Sequence, residues 1–194
     1  GFLAKGVGSV FNATKEITDD QEFFLGRSVS AQILVEPAYS KIYELDKPLK
    51  DRPVTQYINQ IGHALVLVSQ RPETYGGYHF VVIDSPELNA FAVPGGNIFI
   101  TTGLLNLTRS EDEIAAILAH EISHVARRHG IGSIKSSRWT KATTTLLAEG
   151  AKTFGPGDLG HLLNAFSGAV EDIKQTMIRN TYSQGRENEA DTEG

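Results

Sequence analysis

Two histidines and a glutamate lie close together in the segment His120-Glu121-Ile122-Ser123-His124. Residues four apart on a helix share one face, so the two imidazoles could converge on a single Zn²⁺. Zinc lowers the pKa of a bound water to about 7, and a neighbouring carboxylate can take its proton as hydroxide attacks a carbonyl. The segment therefore predicts a hydrolytic metal centre, with His120 and His124 as ligands and Glu121 as general base.

The five-residue pattern is short, and it also occurs by chance on ordinary solvated helices. Its surroundings favour the metal. Ser110 followed by Glu113 is a capping box and predicts a helix start, and small or apolar residues such as Ala119 and Val125 flank the motif. Buried histidines need partners, and a metal ion is one.

A catalytic zinc site usually has a third protein ligand. The third histidine of a metzincin would fall at Gly130, and His129 misses that position by one, so we expect His129 to point to another part of the helix as a surface or capping residue. The better candidate is Glu187, which shares a helical face with Asp191. Glu187 could bind the metal while Asp191 accepts a hydrogen bond from a ligating histidine.

The alternative for this acidic segment is a solvated helix start, which carboxylates favour. Glu189, between the two candidates, is the competing ligand assignment. Taken alone, the segment favours a solvated helix start. Together with His120 and His124, it favours Glu187 as a metal ligand.

The remaining pattern predicts an α+β fold: a mainly helical, zincin-like domain with a small antiparallel sheet beside the metal-binding helix. Pro37 stops the first helix and Pro53 can open the second. The predicted elements are helices over 18–35 and 53–70, strands over 78–83 and 97–102 with an extended piece over 89–96 between them, and helices over 110–130, 138–152 and 158–180. The sheet would leave one edge free.

Composition excludes several classes of function. The chain has no cysteine, which rules out disulfides, thiolate metal sites and cysteine catalysis. Its formal net charge is -5 and no stripe of Lys and Arg is present, so we expect no nucleic-acid partner. The apolar run over 64–68 is far short of the ~20 residues needed to cross a bilayer, so we expect no transmembrane segment.

Three segments together resemble the HtpX-like and BepA-like zinc metallopeptidases, a gluzincin family related to the CAAX prenyl protease, and in particular its branch without transmembrane helices. The matching segments are 89–96 with Gly103-Leu104-Leu105, 120–130, and 187–191. Their order and separation extend the resemblance over about residues 55–194. The three motifs together are specific, whereas the histidine motif alone is only suggestive.

The resemblance implies that His120, His124 and Glu187 bind one zinc ion, that Glu121 is the general base, and that Asp191 orients a ligating histidine. It also implies an edge strand that takes substrate backbone in antiparallel fashion. The residues of that strand are Asn89, Ala90, Phe91, Ala92 and Val93. A free sheet edge can add a peptide through main-chain hydrogen bonds, although a plain turn would also suit any one of these residues.

Two departures from the family pattern stand out. The family's arginine three residues before the ligand glutamate is Gln184 here, with Arg186 nearby. Family members also carry a histidine or arginine further downstream that stabilises the oxyanion, which can be worth about 10²–10³ in rate. The sequence ends before that position, so we expect a peptidase domain over 18–194 that is truncated at its C-terminus. The Gly-rich residues 1–17 before it are expected to form a loose arm.

The function implied by the resemblance is an endopeptidase of protein quality control. Its substrates would be unfolded or misassembled polypeptides bound in extended form, membrane-associated ones included, in the periplasm or another extracytoplasmic compartment. One alternative is a latent or chaperone-like polypeptide-binding module that keeps the zinc site, with residues 130–160 as a lid. Another is a structural zinc site, which would need a fourth protein ligand.

Overall fold

A computed structural model of the chain describes residues 17–134 and 167–179. The elements are α1 (Asp19–Ile33), a 3-10 helix (Leu49–Asp51), α2 (Pro53–Val66), β1 (His79–Ile83), β2 (Ala90–Val93), β3 (Asn97–Thr101), α3 (Thr102–Leu105), α4 (Glu111–Ala126), α5 (His129–Gly132) and α6 (Ser167–Arg179). The predicted α+β class is confirmed, since helices surround one small sheet.

The sheet is mixed rather than antiparallel. Its strand order is β1-β3-β2, with β1 parallel to β3 and β2 antiparallel to β3. After β1 the chain passes to the far edge, forms β2, and returns through a tight turn into the gap beside β1. Gly95 and Gly96 make that turn with φ of 83° and 107°, a region that glycine enters without steric cost. The prediction of antiparallel pairing was therefore wrong for β1 and β3. Strand β2 is the edge strand opposite β1, and Ile42 forms an isolated bridge with Ile83 at the β1 edge.

Both faces of the sheet are buried under helices. Alternate residues of a strand point to opposite faces, so β2 and β3 contribute to two separate cores. Ala92 and Ile98 pack with α2 and α4, whereas Phe91 and Phe99 pack with α1 and α6. The sheet thus holds α4 in a fixed position on one side and α1 on the other.

The two helices predicted before the sheet are present with earlier ends. Helix α1 buries Leu25, Val29 and Ile33, and it ends four residues before Pro37. Helix α2 begins with Pro53 at its first turn, as predicted, and ends at Val66 rather than near residue 70.

Helix α4 begins where the capping signal predicted. The Ser110 hydroxyl accepts a hydrogen bond from the Glu113 N–H at 3.3 Å. Glu113 in turn accepts from the Arg109 N–H at 2.7 Å, one residue before the position in a standard capping box. The helix ends at Ala126 instead of near residue 130, because Arg128 has the left-handed φ of 54° and interrupts it.

Some predictions fall outside the described residues. Glu187, Asp191, the helix predicted over 138–152 and nearly all of the predicted lid are among them, as is the predicted arm apart from Ile17, which is buried in the core with α1. Within residues 17–134 and 167–179, no helix combines the length and apolar character needed to cross a membrane.

Candidate active site

Helix α4 presents His120 and His124 side by side, both partly buried. Their Nε2 atoms lie 3.1 Å apart and their ring centroids 4.8 Å apart. Two nitrogens bound tetrahedrally at about 2.0–2.1 Å from one zinc would be separated by about 3.3 Å. The observed pair therefore fits two positions of a metal coordination shell.

The electrostatic environment keeps His124 neutral. Burial lowers its pKa to about 4, helped by the nearby His120, His129 and Arg127. Neutral imidazole is the form that binds metals, so this ring is ready to act as a ligand at neutral pH.

Glu121 lies on the inner side of α4 with only 8% of its surface exposed. Burial raises its pKa to about 8, and a hydrogen bond from the Ala92 main-chain N–H acts in the opposite direction. A carboxyl group with a pKa near neutrality can both accept and return a proton. This glutamate thus joins the histidine pair to the edge strand of the sheet.

Strand β2 offers main-chain groups at the sheet edge. Thr101 N–H donates to the Asn89 carbonyl at 3.0 Å, so in an antiparallel ladder Phe91 and Val93 also bond to β3. The main-chain groups of Ala90 and Ala92 then point away from β3, in agreement with the bond from Ala92 to Glu121. The edge thus lies directly beside the predicted general base.

The side chains of the predicted substrate strand are not at the surface. Residues 89–93 are each at most 9% exposed and point into the two helical layers. The Asn89 amide donates to the Tyr39 hydroxyl at 3.2 Å, and within the described part of the chain its Oδ1 has no hydrogen-bond partner. Contact of these residues with substrate stays a prediction, and it concerns their main chain.

His129 does not lie where the sequence placed it. It is exposed, as expected, but its Nδ1 lies 2.8 Å from the Nδ1 of His124, and the ring centroids are 4.7 Å apart. The left-handed turn at Arg128 brings the ring back over the end of α4, which helical spacing alone cannot indicate.

Sequence reasoning missed an ionic cluster around the buried Glu22, which consists of Asp19, Glu22, Arg71 and Arg128. The Glu22 carboxylate is fully buried and accepts from Arg71 at 3.0 and 3.2 Å, from Arg128 Nε at 3.0 Å and from the Gly95 N–H at 3.3 Å. The signal was present, since a glutamate lies in register with the apolar residues that α1 buries.

This ionic cluster ties together the segments that carry the site. Glu22 lies on α1, and Gly95 follows the edge strand. Arg71 also donates to the Val125 carbonyl in the last turn of α4, at 3.4 Å. Arg128, just after α4, has two anionic partners, Asp19 and Glu22.

Residues 17–134 and 167–179 supply two of the predicted ligands and no complete set. Within them no three His, Cys, Asp or Glu side chains gather as they would around a metal ion. The third predicted ligand, Glu187, and the predicted orienting residue, Asp191, lie outside the described residues, so both assignments stay predictions.

Comparison with known proteins identifies the family of the chain. The family model described as peptidase family M48 matches residues 53–194, which include the whole of α4. The chain belongs to peptidase family M48. The family is one of metallopeptidases, which implies a metal cofactor, and the resemblance stated from its motifs is confirmed.

The M48 chain is similar to two curated proteins named beta-barrel assembly-enhancing protease. It is 31% identical to the Yersinia pestis protein over 193 residues, covering 99% of the chain and 36% of the relative. It is 30% identical to the Escherichia coli K12 protein over 168 residues, covering 86% and 34%.

A further relative, matched over a shorter stretch, is the mitochondrial metalloendopeptidase OMA1 of Schizosaccharomyces pombe. Identity is 34% over 114 residues, covering 59% of the chain and 33% of the relative. The chain thus spans about a third of the length of these curated relatives.

Proposed function

We propose that this M48 chain is a zinc-dependent endopeptidase that hydrolyses peptide bonds in unfolded or misassembled proteins. One observation carries the proposal: Glu121 accepts the Ala92 N–H at the sheet edge while the flanking histidines hold their Nε2 atoms 3.1 Å apart. A metal-binding pair, a general base and a sheet edge that can pair with a peptide are three parts of a metallopeptidase site.

His120 and His124 would hold the zinc, with Glu187 as third ligand and Asp191 orienting a ligating histidine. The fit of the described pair rests on its nitrogen spacing and on the neutral state of His124. Bound zinc supplies an acidified water and polarises a carbonyl group.

Glu121 would act as the general base. It takes a proton from the attacking water and passes it to the amine that leaves when the peptide C–N bond breaks. Its burial restricts access of bulk water, and the Ala92 N–H fixes the direction of its carboxylate. The base is thereby aligned with the strand that receives the substrate.

The substrate would pair with β2 in extended form, through the outward main-chain groups of Ala90 and the carbonyl of Ala92, whose N–H is held by Glu121. Folded proteins rarely present an unpaired extended segment, so unfolded or misassembled chains are the fitting class. The two bacterial relatives are named for enhancing beta-barrel assembly, which supports misassembled proteins as substrates. We infer membrane-associated substrates and a periplasmic or other extracytoplasmic location from the family resemblance.

The test is metal analysis and casein cleavage with purified protein and two variants. Glu121→Gln removes the base while keeping the size of the side chain. Asp112→Asn is the matched control, because it changes an exposed carboxylate in the first turn of the same helix. We expect one zinc per chain in all three, and cleavage in the wild type and Asp112→Asn alone.

Three other outcomes would contradict the proposal in whole or in part. One zinc per chain without cleavage in the wild type would favour the polypeptide-binding module over the peptidase. Cleavage that survives Glu121→Gln would refute the assigned base. Protein that binds no zinc after gentle purification would overturn the proposed function.

A further inference from the structure

We propose that His129 is a positioning residue that fixes the ring of His124 so that its Nε2 faces the metal. The inference rests on the proposed function, because it concerns the same metal site. It replaces the sequence-based interpretation of His129 as a surface or capping residue with a defined role.

The contact geometry carries the proposal. The two Nδ1 atoms are 2.8 Å apart, a hydrogen-bond distance, and the rings meet at 78°. On the opposite side of the His124 ring, Nε2 lies 3.1 Å from His120 Nε2. One nitrogen of His124 is therefore held by a neighbour while the other faces the second predicted ligand.

The proton in this contact decides which nitrogen can bind a metal. Two imidazole nitrogens at this distance share one hydrogen, so one donates and the other accepts. When His124 donates through Nδ1–H to His129 Nδ1, its Nε2 keeps a free lone pair. Metal-bound histidines are commonly oriented in this way through their second nitrogen.

The backbone around His129 is anchored on both sides, which distinguishes it from an ordinary exposed side chain. Before it, Arg128 is held in the left-handed conformation while its guanidinium reaches Glu22 at 3.0 Å and the Ile17 carbonyl at 3.1 Å. After it, Gly130 is buried so close to Pro94 that an added Cβ would lie 2.8 Å from the Pro94 ring. The ring of His129 is thus carried on a rigid support.

The contact between His129 and His124 also indicates which histidine Asp191 orients. Resemblance implied that Asp191 orients a ligating histidine without saying which one. Since His129 already holds Nδ1 of His124, the histidine left for Asp191 is His120.

The experiment measures zinc affinity of metal-free protein by competition with a chromophoric chelator. His129→Phe removes the acceptor but keeps a ring, and His129→Gln keeps an acceptor oxygen. We expect His129→Phe to weaken zinc binding by about 10–100-fold, the usual loss when the partner of a ligand histidine is removed, and His129→Gln to stay close to wild type. Melting of the metal-free proteins should be alike, because His129 is exposed.

A second readout is specific to positioning. Nitrogen NMR of the metal-free protein should show His124 protonated on Nδ1 in the wild type and in His129→Gln, and a mixture of tautomers in His129→Phe. Equal zinc affinity and the same tautomer in all three proteins would overturn the inference. Failure of the wild type to bind zinc would instead refute the proposed function, and the tautomer readout would still test His129.

Discussion

The Nε atom of Arg128 lies 3.0 Å from a carboxylate oxygen of Glu22, a side chain with no exposed surface. The same carboxylate binds Arg71 and the Gly95 N–H. It therefore links helix α1, to which Glu22 belongs, with the turn after the edge strand and with the residues that follow α4. A charge without contact to water is tolerated only when it is paired and hydrogen-bonded throughout. The cluster therefore fixes the edge strand relative to α4.

Replacing Glu22 should destabilise the protein strongly. Glu22→Gln removes the buried anion that Arg71 and Arg128 share and leaves them with the exposed carboxylate of Asp19. Breaking a buried pair from one side typically costs about 3–5 kcal/mol. Urea denaturation followed by circular dichroism gives the free energy of unfolding. Glu73→Gln changes an exposed carboxylate and is expected to leave that free energy unchanged.

Helix α1 crosses the turn after β2 in close contact at Gly26. A Cβ on Gly26 would lie 1.8 Å from the Pro94 carbonyl oxygen, a backbone atom that cannot rotate away. Gly26→Ala should therefore cost at least about 3 kcal/mol, the upper part of the range for overpacking. The measurement is the same denaturation experiment.

The matched control for this prediction is Gly132→Ala. A Cβ there meets no atom within 4 Å, and the residue lies in a short helix, where alanine is favoured over glycine by about 0.5–1 kcal/mol. Equal stability of the two alanine variants would show that α1 does not pack against this turn as described.

The extent to which the sequence predicted the structure depended on whether a feature is local. Capping at Ser110 and the spacing of His120 and His124 are local, and the structure has the helix with both rings on one face. The parallel pairing of β1 with β3 was missed, because strand order depends on which neighbour fills the gap in the sheet, and no short pattern encodes that.

The contact of His129 with His124 was missed for a related reason. It depends on a left-handed residue, Arg128, which nothing in the local sequence requires, since arginine rarely adopts that conformation. What holds Arg128 there is Glu22, a residue far away in the chain. The geometry near the end of α4 thus depends on tertiary contacts, whereas the placement of His120 and His124 within α4 depends on helical spacing alone.

Acid stability should depend on Glu44. Its carboxylate accepts the Thr55 N–H at 3.1 Å in the first turn of α2, where Arg52 provides no side-chain cap. Burial opposes the charged form, but the bonds from Thr55 and Lys47 outweigh it and hold the pKa of Glu44 below 4.5. A lowered folded-state pKa means that its stabilising contribution is complete above the unfolded pKa and is lost as the pH falls through the folded one.

The corresponding experiment compares the wild type with Glu44→Gln from pH 7 down to pH 3. We expect the wild type to have the larger free energy of unfolding at pH 7, with a difference that shrinks once the pH falls below about 4.5. Glu73→Gln serves again as the exposed control. A constant difference over the whole range would show that charge at Glu44 does not stabilise α2.

Zinc should stabilise the folded protein through His120 and His124. A ligand that binds only the folded state adds about 2.7 kcal/mol at one hundred times its Kd, so saturating zinc should raise the thermal unfolding midpoint by several degrees. His120→Ala and His124→Ala each remove one nitrogen ligand and should abolish most of that rise. Magnesium prefers oxygen ligands and should leave the midpoint unchanged. A rise that persists in both variants would place the zinc somewhere other than helix α4.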